Sequence, residues 1–504
     1  DPAAALVIDP QVVYSTYLGG GTGGGGGNTD GASDGKDFAV DCAVDGSGNL
    51  YVTGVVSSPN FPTANALYTH LDGFNPWIAK LDPDGQLVYA TYLPGTHGSL
   101  NPRAGFNGGT GIAVDAAGNA YVGGITESTS LPVTPDALQK TFEGALADGF
   151  VVQLDPAGKL VYLSYLGGSN FDTVSCVALD GAGSFYVSGG TSSDDFPLAN
   201  ALQSKRGGGK VFGGLDVFVT KFNPGFAGVA WSTLLGGSGD ETSSGLAVDA
   251  AGNVLVTGWT SSPDFPLEKP FQAVNKGGVN RSFGIATDVF VTKLAADGSR
   301  LVFSTFLGGT GPEYPDPDNF TRRVAVDPDG NVYVISDTAS TDFPTTEDAL
   351  QRTYGGGPSD AFLSKFSPQG ELLYSTFLGG SDAERGRSIV LDAEGNVYIA
   401  GQTYSADFPT VDPVQAKLAG KANAYLIQLD PTLRKILFST YLGGSGEDGA
   451  LGLALGPDGD LYLAGEVSSN DFLTTPGAVQ RDYGGGPQDA FVTRISLARQ
   501  APEE

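Results

Sequence analysis

The sequence predicts an all-β chain: a seven-bladed β-propeller of four-stranded antiparallel blades, closed by the N-terminal strand completing the last blade (3+1 closure). Three observations lead there. The phrase VVYSTYLGG, Val12 to Gly20, returns six more times as VYATYLPG, VYLSYLGG, VAWSTLLGG, LVFSTFLGG, LLYSTFLGG and ILFSTYLGG. Its leucines are Leu18, Leu93, Leu166, Leu235, Leu307, Leu378 and Leu442. They stand roughly 70 residues apart, enough for four short strands and their turns. Finally, the first copy has no other repeat phrase before it, while the last repeat supplies GLALGPDG, LYLAGEV and DAFVTRIS and then stops. A three-strand remainder and a one-strand remainder make one blade, and a closed ring leaves no exposed sheet edge.

Each strand follows from local chemistry. AVDAAGNAYV, Ala113 to Val122, is two β-rich runs joined at a Gly-Asn turn, so strands a and b form a hairpin. LDPDGQLVYATYL, Leu81 to Leu93, is a second hairpin, c to d, with Pro-Asp-Gly at its turn. A longer b-to-c connection carries SSxDFP. The middle of strand a is Ala43, Ala113, Ala178, Ala247, Ala325, Val390 and Ala454, small residues suited to the crowded axis of a ring. Strand d carries bulky pairs such as Tyr14 with Tyr17 and Phe303 with Phe306; three apart, they face opposite sides of the strand and reach both neighbouring blades. The predicted blades cover about 38–95, 111–168, 174–237, 245–309, 323–380, 388–444, and 452–496 together with 12–20, in a single domain spanning 1–504. The 76 glycines lack a collagen period and fall between β-branched and aromatic runs, as tight turns require.

The consensus YSTYLGGSGxD…GIAVDAAGNVYVTGxTSSxDFPTT…GGGxDAFVTKLDPDG resembles the bacterial seven-bladed β-propeller repeat (SBBP) family over practically the whole chain. The resemblance implies an extracellular or cell-envelope propeller and no defined reaction.

Bulk composition narrows the partners. A net charge of −29, spread along the chain, disfavours nucleic acid and anionic lipid, which need clustered Lys and Arg. No apolar run approaches membrane-spanning length, so no membrane insertion is expected. The chain starts at Asp1 and contains no Met, which points to a removed N-terminal segment, a secretory signal, and hence to a secreted or cell-surface bacterial protein. Cys42 and Cys176 fall on inner strands a whole repeat apart and are expected as buried free thiols.

The a–b and c–d turns repeat almost unchanged and form one face; the b–c and d–a loops form the other, and nearly all the irregularity is there. Binding is expected on that loop-rich face. Its acidic residues are candidate calcium ligands: Asp30, Asp34 and Asp37; Asp240 and Glu241; Glu313, Asp316 and Asp318; Glu447 and Asp448. Calcium takes six to eight oxygens, and Gly-rich loops let carbonyls join carboxylates, although no stretch matches a defined calcium loop. Solvated turns are the other reading. The Asn60, Asp195, Asp264, Asp342, Asp407 and Asp471 that precede Phe in SSxDFP read as structural staples. Lys80, Lys221, Lys293, Lys365 and Arg494 on strand c read as partners for acidic neighbours. His70 and His97 are the only histidines, no metal motif accompanies them, and HExxH and paired CxxC are absent. Asn280 and Asn319 head N-x-S/T sequences on the loop-rich face.

The sequence therefore predicts a non-catalytic binding or scaffold module for a glycan or protein. A subunit of a surface assembly, binding copies of itself, and a glycan-active hydrolase or lyase are the rival readings.

Overall fold

The computed structural model of the chain describes residues 7–8, 10–21, 35–69, 71, 73–94, 107–209, 213–279, 286–313, 323–497 and 499–500. Seven four-stranded antiparallel sheets form a ring, a seven-bladed β-propeller with no α-helix among the described residues. Blade 1 is Asp37–Val44, Leu50–Val56, Asn75–Leu81 and Leu87–Tyr92, in that spatial order. Blades 2 to 6 repeat the arrangement. In the seventh sheet, Asp448–Leu455, Leu461–Val467 and Asp489–Ser496 are followed by Gln11–Leu18 from the other end of the chain. Leu18 stands opposite Ala490 and Tyr14 opposite Arg494 in this antiparallel pair.

Side-chain size decides which strand faces the axis. Ala43, Ala113, Ala178, Ala247, Ala325, Val390 and Ala454 line a well of about 490 Å³ at the hairpin end of the axis. Strands b and c are buried almost end to end, because each blade is covered on both faces by its neighbours. The paired aromatics of strand d divide between those neighbours. Tyr14 packs with Cys42 and Trp77 of blade 1, whereas Tyr17 packs with Tyr398, Ala424 and Phe438 of blade 6. Phe303 and Phe306 likewise enter separate clusters. Cys42 and Cys176 are buried and outside any disulfide, each on an innermost strand.

The SSxDFP motif is a staple, but it reaches further than a local turn. Asp407 Oδ1 accepts hydrogen bonds from Ser381 N and Ser381 Oγ, 26 residues away, at the exit of the preceding blade's strand d. Asp195 with Ser169, Asp264 with Ser238, Asp342 with Thr310 and Asp471 with Ser445 repeat it. Asn60 does the same with Gly21 N. The Phe that follows is buried in each case: Phe61, Phe196, Phe265, Phe343, Phe408 and Phe472. The motif thus fastens one blade to the next.

On the hairpin face each a–b turn is knitted by its first Asp. Asp45 Oδ1 accepts from Ser47 N and Asn49 N, while Oδ2 accepts from Asn49 Nδ2 and Tyr51 Oη. The strand c cation completes the unit: Lys293 Nζ lies 2.8 Å from Asp249 Oδ2, and Arg494 Nη2 lies 2.7 Å from Asp460 Oδ2. Gln153 and Gln428 donate instead to Tyr121 and Tyr398 hydroxyls, so the position needs a donor rather than a charge.

Burial opposes the charge of Asp249, but hydrogen bonds from Lys293 and Asn253 outweigh it and hold its carboxyl below the ordinary aspartate range. Asp45 and Asp180 shift in the same direction, with Asn49 and Ser184 among the donors. A carboxyl with a depressed folded pKa stabilises the fold above its unfolded value, near ~3.9, and loses that contribution as pH falls through the folded value. Asp249→Asn is therefore expected to cost about 1–3 kcal/mol at pH 7. The gap to the unaltered protein should close as pH drops below about 4. Thermal melts from pH 7 to pH 2 check this; a gap independent of pH contradicts it.

Candidate functional site

On the loop-rich face the axis opens into a funnel of about 490 Å³. Its wall is built by the first residues of strand a and the last residues of strand b, which the blade geometry brings to the same end. Lys36, Arg385 and Arg387 line it beside Phe38, Tyr404, Gln402, Glu447 and Glu466. Three cationic side chains thus gather at one spot of a chain with a net charge of −29. Arg385 Nη1 donates to Gln402 Oε1 at 3.0 Å, and its guanidinium lies 5.6 Å from the Tyr404 ring centroid. This arrangement presents a planar cation flanked by an aromatic face, suited to a carboxylate or sulfate on a ring-shaped ligand. A larger cavity of about 880 Å³ lies on the hairpin face between blades 6 and 7. Two of its acidic groups are already engaged: Asp392 holds Asn396 and Tyr398, and Asp460 holds Arg494.

A second arrangement lies between blades, near the same face. Strand c begins with Asp148, Asp216, Asp288, Asp360 and Asp489 in five blades, and with Asn75 and Asn423 in the other two. Beside each acid lies the carboxyl that introduces strand a of the next blade, respectively Asp172, Glu241, Glu313, Glu384 and Asp37. Burial, the largest cause, pushes Asp148, Glu241, Glu384 and Asp489 up to about 7, reinforced by the facing carboxylate. Asp216 and Asp360 are raised to about 6 by burial, opposed by backbone donors at Gly207 and Gly355. Asp288 and Glu313 are both raised, chiefly by burial.

The candidate calcium residues of the sequence separate on this frame. Asp30, Asp34, Asp316 and Asp318 lie outside the described residues, as do His70, His97, Asn280 and Asn319. Neighbours in an extended segment point to opposite sides, so adjacent acids do not converge. Asp240 Oδ1 accepts from Leu215 N, while Glu241 turns to Gly237 N, Thr260 and Ser262. Glu447 pairs with Lys421, while Asp448 takes Gly444 N and Ser469. Glu313 and Asp37 belong to the inter-blade pairs. Among the described residues no three His, Cys, Asp or Glu side chains assemble as a metal-holding group. The strand c acids were overlooked in the sequence, although DAFVTKL and its variants repeat an Asp or Asn at that position.

The SBBP family model, described as a beta-propeller repeat, matches residues 230–266, 302–344 and 373–409. Each match runs from strand d through the SSxDFP segment of the next blade. The regulatory protein FlaEY of Caulobacter vibrioides is 29% identical over 203 residues, covering 39% of this chain and 19% of that protein. An uncharacterized WD repeat-containing protein, L264, of Acanthamoeba polyphaga mimivirus is 23% identical over 411 residues, 70% of this chain and 28% of that one. The chain therefore spans less than a third of the length of these curated relatives. A Dyadobacter fermentans protein of unknown function superposes with a TM-score of 0.45 at 10% identity, over 98% of this chain and 100% of its own. Three segments, each linking one blade to the next between blades 3 and 6, thus match the SBBP beta-propeller repeat model on a frame of seven blades.

Proposed function

We propose that this chain is a secreted or cell-surface binding module that takes a glycan bearing a carboxylate or sulfate into the axial funnel of its loop-rich face. One observation carries the reading: Lys36, Arg385 and Arg387 converge where the rest of the chain is strongly acidic. The surrounding negative field repels extended polyanions but admits a single anionic residue at a chain end or branch. Phe38 and Tyr404 supply apolar faces against which a sugar ring packs.

A glycan array with matched acidic and neutral ligands tests this. Binding is expected only to acidic members, to weaken as salt rises, and to fall about tenfold or more in Arg385→Gln, which removes a charge-assisted contact. Equal binding of neutral ligands, silence across the array, or unchanged affinity in Arg385→Gln overturns it. Shortening of polysaccharide chains during incubation would instead favour the hydrolase or lyase reading.

A further inference from the structure

At Asp288 and Glu313 each carboxyl has one fully engaged oxygen and one bare oxygen. Glu313 Oε1 accepts from Gly309 N, Thr338 Oγ1 and Ser340 Oγ, and Asp288 Oδ2 accepts from Gln272 Nε2 and Lys276 N. Glu313 Oε2 and Asp288 Oδ1 receive no N–H or O–H donor from any other residue; the two carboxyls stand within hydrogen-bonding reach of each other, and both side chains are completely buried. The bare oxygens crowd one point: a methyl group on Gly308 would stand 2.4 Å from Asp288 Oδ1 and 2.5 Å from Glu313 Oε2. Asp148, Asp216, Asp360 and Asp489 each leave the same Oδ1 bare at the same position of their own blades.

The two asparagine blades show what that point requires. Asn423 Nδ2 donates to Ala422 O at 2.9 Å and Gly444 O at 3.2 Å, and Asn75 Nδ2 donates to Leu93 O at 3.0 Å. Where the side chain is an amide, it directs positive N–H groups at backbone carbonyls. At Asp288 a negative oxygen takes the amide's place, facing a second carboxylate, with Thr287 O close by: a methyl group on Gly277 would collide with both that carbonyl and Asp288 Oδ1. Such a set of oxygens is unfavourable unless a positive group sits among them. Two carboxylates balance a divalent charge, and an all-oxygen set with backbone carbonyls selects a hard cation with tolerant geometry.

We propose that the Asp288–Glu313 pair, and by repetition the pairs led by Asp148, Asp216, Asp360 and Asp489, each hold a calcium ion between adjacent blades. The ions cross-link strand c of one blade to strand a of the next, and the chain replaces them with an amide at Asn75 and Asn423.

The test uses the full chain stripped with a chelator and titrated with CaCl2, followed by calorimetry and by thermal melting. Calcium is expected to bind in several equivalents and to raise the melting midpoint by about 3 °C or more, which NaCl at equal ionic strength does not reproduce. Asp288→Asn copies the side chain that blade 6 already uses, so it should fold. It is expected to bind one equivalent fewer and, in chelator, to melt above the unaltered protein. Absence of calcium uptake at millimolar CaCl2 overturns the proposal and leaves a shared proton as the positive group. So does an Asp288→Asn variant that keeps the full number of equivalents.

Discussion

Removal of residues 1–20 is expected to abolish the cooperative melting of the whole ring rather than trim one end of it. The strand Gln11–Leu18 is the fourth strand of the seventh sheet, paired along its length with Asp489–Ser496. It buries Tyr14, Tyr17 and Leu18, each at most 5% exposed. The Tyr17 hydroxyl donates to Ser469 O and accepts from Phe472 N, and Ser15 N donates to Thr475 Oγ1. Losing two buried aromatics and a leucine costs on the order of 10 kcal/mol, since each truncation is worth about 2–5 kcal/mol. That is comparable to the total stability of an ordinary domain. The cut also bares the N–H and C=O groups of Asp489–Ser496 as an unprotected edge, which invites pairing between molecules. Calorimetry with light scattering should show a lost or broadened transition and oligomers. A truncated chain that melts like the intact one and stays monodisperse would falsify this account of how the ring is held.

The second large effect is expected at Asp337. Its Oδ1 lies 3.3 Å from Arg323 Nη1, with Ser336 Oγ at 2.6 Å from the same nitrogen, and both charged side chains are fully buried. A buried ion pair is dear to form, because both ions give up water; deleting one partner is dearer still, because the other charge stays behind. Asp337→Ala is expected to lose about 3–5 kcal/mol. The double change Arg323→Leu with Asp337→Leu should recover most of that loss, because it leaves neither charge of the pair behind. Chemical denaturation of the single and double variants decides it. A single variant within 1 kcal/mol of the unaltered protein, by the same scale, would show that the guanidinium does not depend on this carboxylate.

Much of the architecture was legible because it is written at short range. An Asp-x-x-Gly-Asn turn, an alternating strand and an Ala where space is tight each depend on residues within a few positions, and seven repetitions remove the ambiguity of any one. The Phe of SSxDFP was readable as a core residue for the same reason. Its Asp was only half readable: a staple was expected, but the partner stands 26 residues back, on the preceding blade. Among the candidate calcium residues, Asp240 with Glu241 and Glu447 with Asp448 stand side by side in the sequence, and because extended backbone turns neighbours to opposite sides, the partners of each acid come from elsewhere in the chain. The funnel cations were missed because Lys36, Arg385 and Arg387 come from two distant segments that only the ring brings together.

The sequence by itself determined the number of blades, the strands within each, their turns and the small residues at the axis. All of these arise from local periodicity and side-chain volume, which act between residues close in the chain. Only the tertiary structure decided which carboxylates face one another, such as Asp288 and Glu313, and which oxygens are left bare. The physical reason is the same in each case. Charge and hydrogen-bond satisfaction depend on distance in space and on exclusion of water, and in a ring of blades the decisive neighbour belongs to the next repeat.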